Sequence, residues 1–232
     1  MSYYLSGLLN AKQIRNPPVD YEIGKEVLPK VEPQNICTRV FEILESVPRV
    51  PQEELIQEFV YLDITHNDKI LSEVVDIILE KGVRNPENSQ KCVEIVKAKV
   101  NHDTRNGCGK FHTAILRRNQ KVFYDEREKK HRFGIANFMG EMYLNELASA
   151  KIIKRYTVTL FESLFEGNID LDAIDHGFHL LKVTGKALDS DPSPDTINEW
   201  VEKFGTVQGS PKVAAMVQKF VELRARGWEE AV

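Results

Sequence analysis

From Asn35 to Arg226, apolar residues recur at steps of three and four. Alternation with period two never lasts long enough to build a sheet. Steps of three and four put apolar side chains on one face of a helix, whereas a half-buried strand needs period two. The pattern therefore predicts an all-α chain.

The helical segments can be read in order. Asn35 is placed to cap a helix through Val47, with Val40, Phe41, Ile43 and Leu44 on its apolar face. Pro48 and Pro51 end it and open the next, which carries Leu55, Ile56, Phe59, Val60 and Leu62. A third runs from Asn67 to Lys81, with Gly82 as its C′ residue. Asn85-Pro86 reads as cap plus first helical position of a fourth, which holds Cys92, Val93, Ile95, Val96 and Val100. His102 to Gly109 is polar and glycine-rich, so a loop is expected. Helices then follow over 111–124 and on to Leu147, over 152–165 closed by Gly167-Asn168, and over 171–188 behind Asp170. The last two cover 196–204 and 213–226, after a turn cluster at 189–194 and a Ser210-Pro211 start.

Roughly ten amphipathic helices joined by short loops give antiparallel neighbours but exceed one four-helix bundle. They fit a HEAT-like α-α superhelix of about five antiparallel hairpins, each burying its face on the next. The stretch Ile135 to Leu144 is the central helix of that stack. Its Gly140 costs roughly 1 kcal/mol against alanine, so a neighbouring helix is expected to come close there. Residues 1–34 carry Pro17, Pro18, Pro29 and Pro33 with little periodicity and read as an arm or linker before a 35–232 domain.

Composition narrows the function classes. Apolar residues at 42% and charged residues at 28% are ordinary globular values, so the chain buries a core without needing staples. A formal net charge of −4 means that any nucleic-acid contact must come from a local patch. Cys37, Cys92 and Cys108 show no CxxC spacing and cannot all pair, which points to a reducing compartment. There is no run of 18 apolar residues and no signal-peptide core. A cytoplasmic protein without a membrane contact is expected.

A family resemblance rests on ordered motifs. Phe138-Met139-Gly140-Glu141-Met142-Tyr143-Leu144, Leu180-Leu181-Lys182-Val183-Thr184-Gly185-Lys186-Ala187-Leu188-Asp189 and Val221-Glu222-Leu223-Arg224-Ala225-Arg226-Gly227-Trp228 resemble the middle domain of translation initiation factor 4G in order and spacing. Cys37 to Leu44 looks like that domain's first helix, and Val74 to Lys81 like the end of its second hairpin. Phe111 to Arg118 looks like the helix before its variable loop. The wording around Tyr143 and Leu180 is most similar to the branch of polyadenylate-binding protein-interacting proteins of translation. The resemblance spans about residues 35–228. It departs from the family in the loop before the central helix, shortened to Asp125–Arg132. It departs again after Trp228, where the acidic tail that binds poly(A)-binding protein is missing, so that partner is not expected.

The resemblance implies a scaffold with no catalytic group, no cofactor and no metal. It implies a grip on the DEAD-box helicase factor 4A at both ends of the crescent. The candidates are Arg39, Val40, Phe41 and Leu44 on the first helix and Arg224, Arg226 and Trp228 on the last, tryptophan and arginine being favoured anchors. It also implies RNA binding on basic patches. Arg117, Arg118, Lys121, Lys129, Lys130, Arg132, Lys151, Lys154 and Arg155 cluster around the central hairpins and would hold phosphates if they share a face. Asp125, Glu126 and Glu128 interleave with them, and no aromatic stacking platform is evident. In the arm, Tyr3, Leu8 and Leu9 fit the Tyr-x-x-x-x-Leu-apolar pattern that resembles the family's motif for the cap-binding factor 4E.

Two metal readings compete with the scaffold. Cys92, His102, Cys108 and His112 can be drawn as a zinc site, though without paired close ligands. His66, His102-Asp103 and Asp175 follow the order of helical metal-dependent phosphohydrolases, in which metals activate water. A further alternative is an RNA-binding module with no helicase contact.

Overall fold

A computed structural model describes residues 36–167, 169–190, 195–206 and 211–229. The expected cap Asn35 and the Tyr3, Leu8 and Leu9 motif lie outside these residues. Among the described residues ten α-helices follow one another: α1 Ile36–Ser46, α2 Gln52–Val60, α3 Asp68–Arg84, α4 Pro86–Arg105, α5 Lys110–Phe123, α6 Arg132–Leu144, α7 Ala150–Phe165, α8 Leu171–Asp189, α9 Asp195–Thr206 and α10 Pro211–Ala225. There is no strand among the described residues, and no helix there is long and apolar enough to cross a membrane.

The helices pair as hairpins and stack in two rows. The second helices form an unbroken row, with α2 against α4, α4 against α6, α6 against α8 and α8 against α10. In the row of first helices, α1 packs on α3 and α3 on α5. Beyond α5 that row opens, and aromatic side chains bridge to α7, with Phe123 stacked on Tyr156 at a 3.8 Å centroid distance. This is the expected HEAT-like superhelix of antiparallel hairpins.

Helix α6 is central, packing on α3, α4, α5, α7 and α8. Its sequence suggests a single apolar stripe. Instead Gly134, Ile135, Ala136, Asn137, Phe138, Met139, Gly140 and Met142 are all buried, so nearly the whole circumference is covered. A helix apolar all round belongs inside a stack, and each fully buried Phe, Ile or Met contributes about 1.5–3 kcal/mol. Gly140 has the expected neighbour: a Cβ there would stand 3.2 Å from Leu180 and 3.3 Å from Thr184 on α8.

Three local expectations change. Gly82 does not end α3, which continues to Arg84; it lies inside the helix because the Phe138 ring of α6 occupies the space of its missing side chain. His102 and Asp103 do not lie in a loop. They are the last turn of α4, which closes at Gly107 (φ 74°) through Cys108 N–H donating to Asp103 O and Gly107 N–H to Thr104 O. α6 ends at Leu144 rather than Leu147, with Leu147 N–H donating to Met142 O.

Several caps follow the sequence. Asn67 Oδ1 accepts from Lys69 and Ile70 N–H, Asp170 Oδ1 accepts from Ala173 N–H, and Pro86 opens α4. The shortened loop is one 3-10 turn, Glu126–His131, feeding directly into α6.

Candidate functional site

At the first end, α1 divides its candidates between core and surface. Val40 and Leu44 are buried in the core, whereas Phe41 is 45% exposed. Lys81 Nζ stands 4.1 Å over the Phe41 ring and is itself paired with Glu45. Arg39 bridges the first hairpin, donating to Glu42 at 2.7 Å and to Glu58 of α2. These partners hold the Arg39 guanidinium well above its ordinary pKa. Phe41 is thus a ring held by a cation and presented to solvent, beside an oriented guanidinium.

At the other end, Trp228 points inward. Its ring covers Gly185 of α8 so closely that no Cβ would fit beneath it. Its indole N–H donates to Asp189 Oδ2 at 2.8 Å, and Arg224 grips the same carboxylate with Nε and Nη2 at 3.1 and 2.8 Å. Arg224 also donates to Asn198 Oδ1 at 2.8 Å, tying α9 to the clasp. Helix α10 closes on Gly227 (φ 69°), with Trp228 N–H donating to Leu223 O. Trp228 and Arg224 therefore hold the last hairpin on α8, and Arg226 is exposed beside them.

The basic residues separate into groups. Arg118 donates to Asp76 of α3 at 2.5 Å, and Arg132 donates to Phe123 O, the last carbonyl of α5, at 3.3 Å. Both are engaged in holding helices together. Arg117 and Lys121 on α5, and Lys151 and Arg155 on α7, are exposed, each pair four residues apart. The two helices lie side by side in the same direction. His112 near the start of α5 meets Leu147 O at 2.7 Å, and Tyr156 donates to Asn119 Oδ1 at 2.8 Å further along. These four cations line two adjacent helices. Lys154 is half-buried and Lys130 exposed, while the Lys129 side chain is outside the description.

One of the interleaved acids is already paired with a cation. Asp125 is held by Arg127, bidentate at 3.0 and 2.6 Å, and lowered to a pKa of about 2 chiefly by that contact. The structure also supplies an aromatic that was not evident in the sequence. Tyr124, the residue after α5, is 43% exposed; Lys121 lies one turn earlier on α5, and Arg155 of α7 is within electrostatic reach of its phenol. Its signal was local: an aromatic three residues after a lysine at a helix end.

The competing metal sets do not assemble. Among the described residues, no three His, Cys, Asp or Glu side chains come together to hold a metal ion. Cys92 is in the core, its thiol pushed up to about 11 by burial. His66 faces Asp63. Asp103 forms a buried 3.0 Å ion pair with Lys99, which also donates to Val60 O at the end of α2.

The profile of the MIF4G domain matches residues 41–226. Among solved structures, the crystal structure of the MIF4G domain of Trypanosoma cruzi translation initiation factor EIF4G5 is similar, with a TM-score of 0.55 and 19% identity over 84% of this chain and 97% of that one. At that identity the likeness shows a shared fold. No curated protein matches the sequence.

Proposed function

The chain belongs to the MIF4G domain family, and from that premise we infer a non-catalytic scaffold of translation initiation that binds the DEAD-box helicase factor 4A and RNA. The observation that carries this reading is the family match over 41–226, which spans the stack from α1 to α10. The two ends offer surfaces suited to a partner. One presents Phe41 and Arg39; the other presents Arg226, which lies between Arg224 and Trp228 of the Asp189 clasp in sequence. Val40, Leu44, Arg224 and Trp228 serve the grip indirectly, by positioning those exposed groups. A rigid body touching both helicase lobes raises ATP turnover if it binds the productive arrangement better than the open one, and it needs no catalytic group of its own.

The α5–α7 face would hold RNA through phosphate contacts from Arg117, Lys121, Lys151 and Arg155. The Tyr3, Leu8 and Leu9 motif is proposed for the cap-binding factor 4E, and the place of work is the cytoplasm. The nearer likeness to the polyadenylate-binding protein-interacting branch rests on the wording around Tyr143 and Leu180.

The test is helicase ATPase rate against added chain with RNA present, paired with a binding titration. Binding with faster turnover, weakened by Phe41→Ala, is the expected result. Binding with slower turnover would make the chain a repressor. No binding at high micromolar concentration would refute the helicase contact and leave the RNA-binding module as the alternative.

A further inference from the structure

The geometry points to Tyr124 as a stacking platform for an unpaired RNA base, with Lys121 and Arg155 holding the phosphates on either side. This rests on the RNA reading above and makes it more specific: the α5–α7 face would prefer single strands to duplex.

Three observations carry it. First, Tyr124 is an aromatic surface on offer, 43% exposed. Second, the ring is held rather than loose. It stands edge-on to Phe123 at 5.1 Å and 89°, and edge-on to Tyr156 at 6.0 Å and 82°. Phe123 and Tyr156 are fully buried and stacked at 9°, so the support beneath is part of the core. A pre-positioned ring loses little freedom when a base stacks on it. Third, the ring sits where side chains rather than close backbone packing bridge α5 to α7, with Lys121 one turn before it on α5 and Arg155 of α7 within electrostatic reach.

Lys121 lies one turn before Tyr124 on α5, and Arg155 of α7 is within electrostatic reach of it. Asp125 follows it, and Arg127 holds that carboxylate. The cations Arg117 and Lys151 extend the two rows. A strand running along the opening would meet phosphate contacts on both sides and one aromatic face between them. A duplex keeps its bases inside and offers no face to Tyr124, whereas every unpaired base has one.

The experiment measures fluorescence anisotropy of the full chain with a labelled 12-nucleotide oligouridine and with an RNA duplex of equal length, over a salt series. The wild-type chain is expected to bind the single strand more tightly. Tyr124→Ala should weaken that binding on the order of ten- to a hundredfold, the range of one lost base stack, and leave the duplex nearly unchanged. Tyr124→Phe, which keeps the aromatic face, should stay close to wild type. The salt slope should persist in Tyr124→Ala and fall in Lys121→Ala/Arg155→Ala. A second readout needs no variant: 5-iodouridine RNA, irradiated on the wild-type chain, should crosslink at Tyr124.

Wild-type binding with Tyr124→Ala unaffected, or a crosslink elsewhere, would overturn the platform while leaving the RNA reading in place. No RNA binding by the wild-type chain would overturn both. Competition by polyglutamate as effective as by oligouridine would overturn the platform too, marking the face as a site for acidic protein segments.

Discussion

Gly134 gives the sharpest test of how α6 is seated. It lies in the first turn of that helix, over the last turn of α3. A Cβ built there would fall on the Val83 carbonyl oxygen and stand 2.9 Å from both the Val83 carbonyl carbon and Cγ1. A side-chain clash can be relieved by a rotamer change, whereas the Val83 carbonyl is part of the α3 backbone and moves only if the end of that helix moves. Gly134→Ala must therefore push α6 off α3, and α6 is packed on four other helices that resist the shift. Overpacking of a tight core costs about 1–3 kcal/mol. Alanine returns up to about 1 kcal/mol through helix propensity. The upper end applies to a backbone contact, so the net loss is about 2 kcal/mol, or roughly 4–8 °C in Tm for a domain of this size. The control is Gly205 in α9, where a Cβ meets nothing within 4 Å; Gly205→Ala should stabilise by about 0.5 kcal/mol. Urea unfolding followed by circular dichroism reads both. The reasoning fails if Gly134→Ala unfolds at or above the wild-type midpoint, or if both substitutions move it in the same direction.

Three other outcomes are expected. Trp228→Ala removes the ring from Gly185 and the donor from Asp189, and should cost about 3 kcal/mol, with protease cleavage appearing first in α9 and α10. Lys99→Met leaves Asp103 buried without its partner and should cost about 3–5 kcal/mol by urea midpoint, whereas Lys99→Met/Asp103→Leu should recover most of it. His176 and His179 are both lowered from about 6.5, chiefly by burial, so the folded state binds their protons less readily than the unfolded chain. Their neutral forms cost nothing above the unfolded value, and stability should fall as pH drops from 7.5 through 6.5 towards 5. Urea midpoints across that range should lose this slope in His176→Gln/His179→Gln.

Much of the architecture was legible in the chain. The apolar steps of α2, α3 and α8 gave their buried faces, and Asn67, Pro86 and Asp170 marked helix starts through local hydrogen bonding or a fixed φ. Gly82 misled because glycine after a helix and glycine beneath a ring from another helix look alike in one dimension. His102 and Asp103 misled because polar residues in a helix's last turn resemble a loop when their partner Lys99 and the acceptor Val60 O are unseen.

The candidate site was legible only as a list of residue types. Basic residues around α5 to α7 were visible, but not that Arg118 serves Asp76, that Arg132 serves the end of α5, or that Arg155 of α7 comes near Tyr124. Local sequence determined the helices, their order and many of their ends, because 3.6-residue periodicity, proline and capping act over a few residues. Tertiary structure decided which cations remain outward, that Trp228 points in and that Tyr124 points out. Those outcomes depend on side chains as many as 42 positions apart, as Asp76 and Arg118 are, meeting across the rows of the stack.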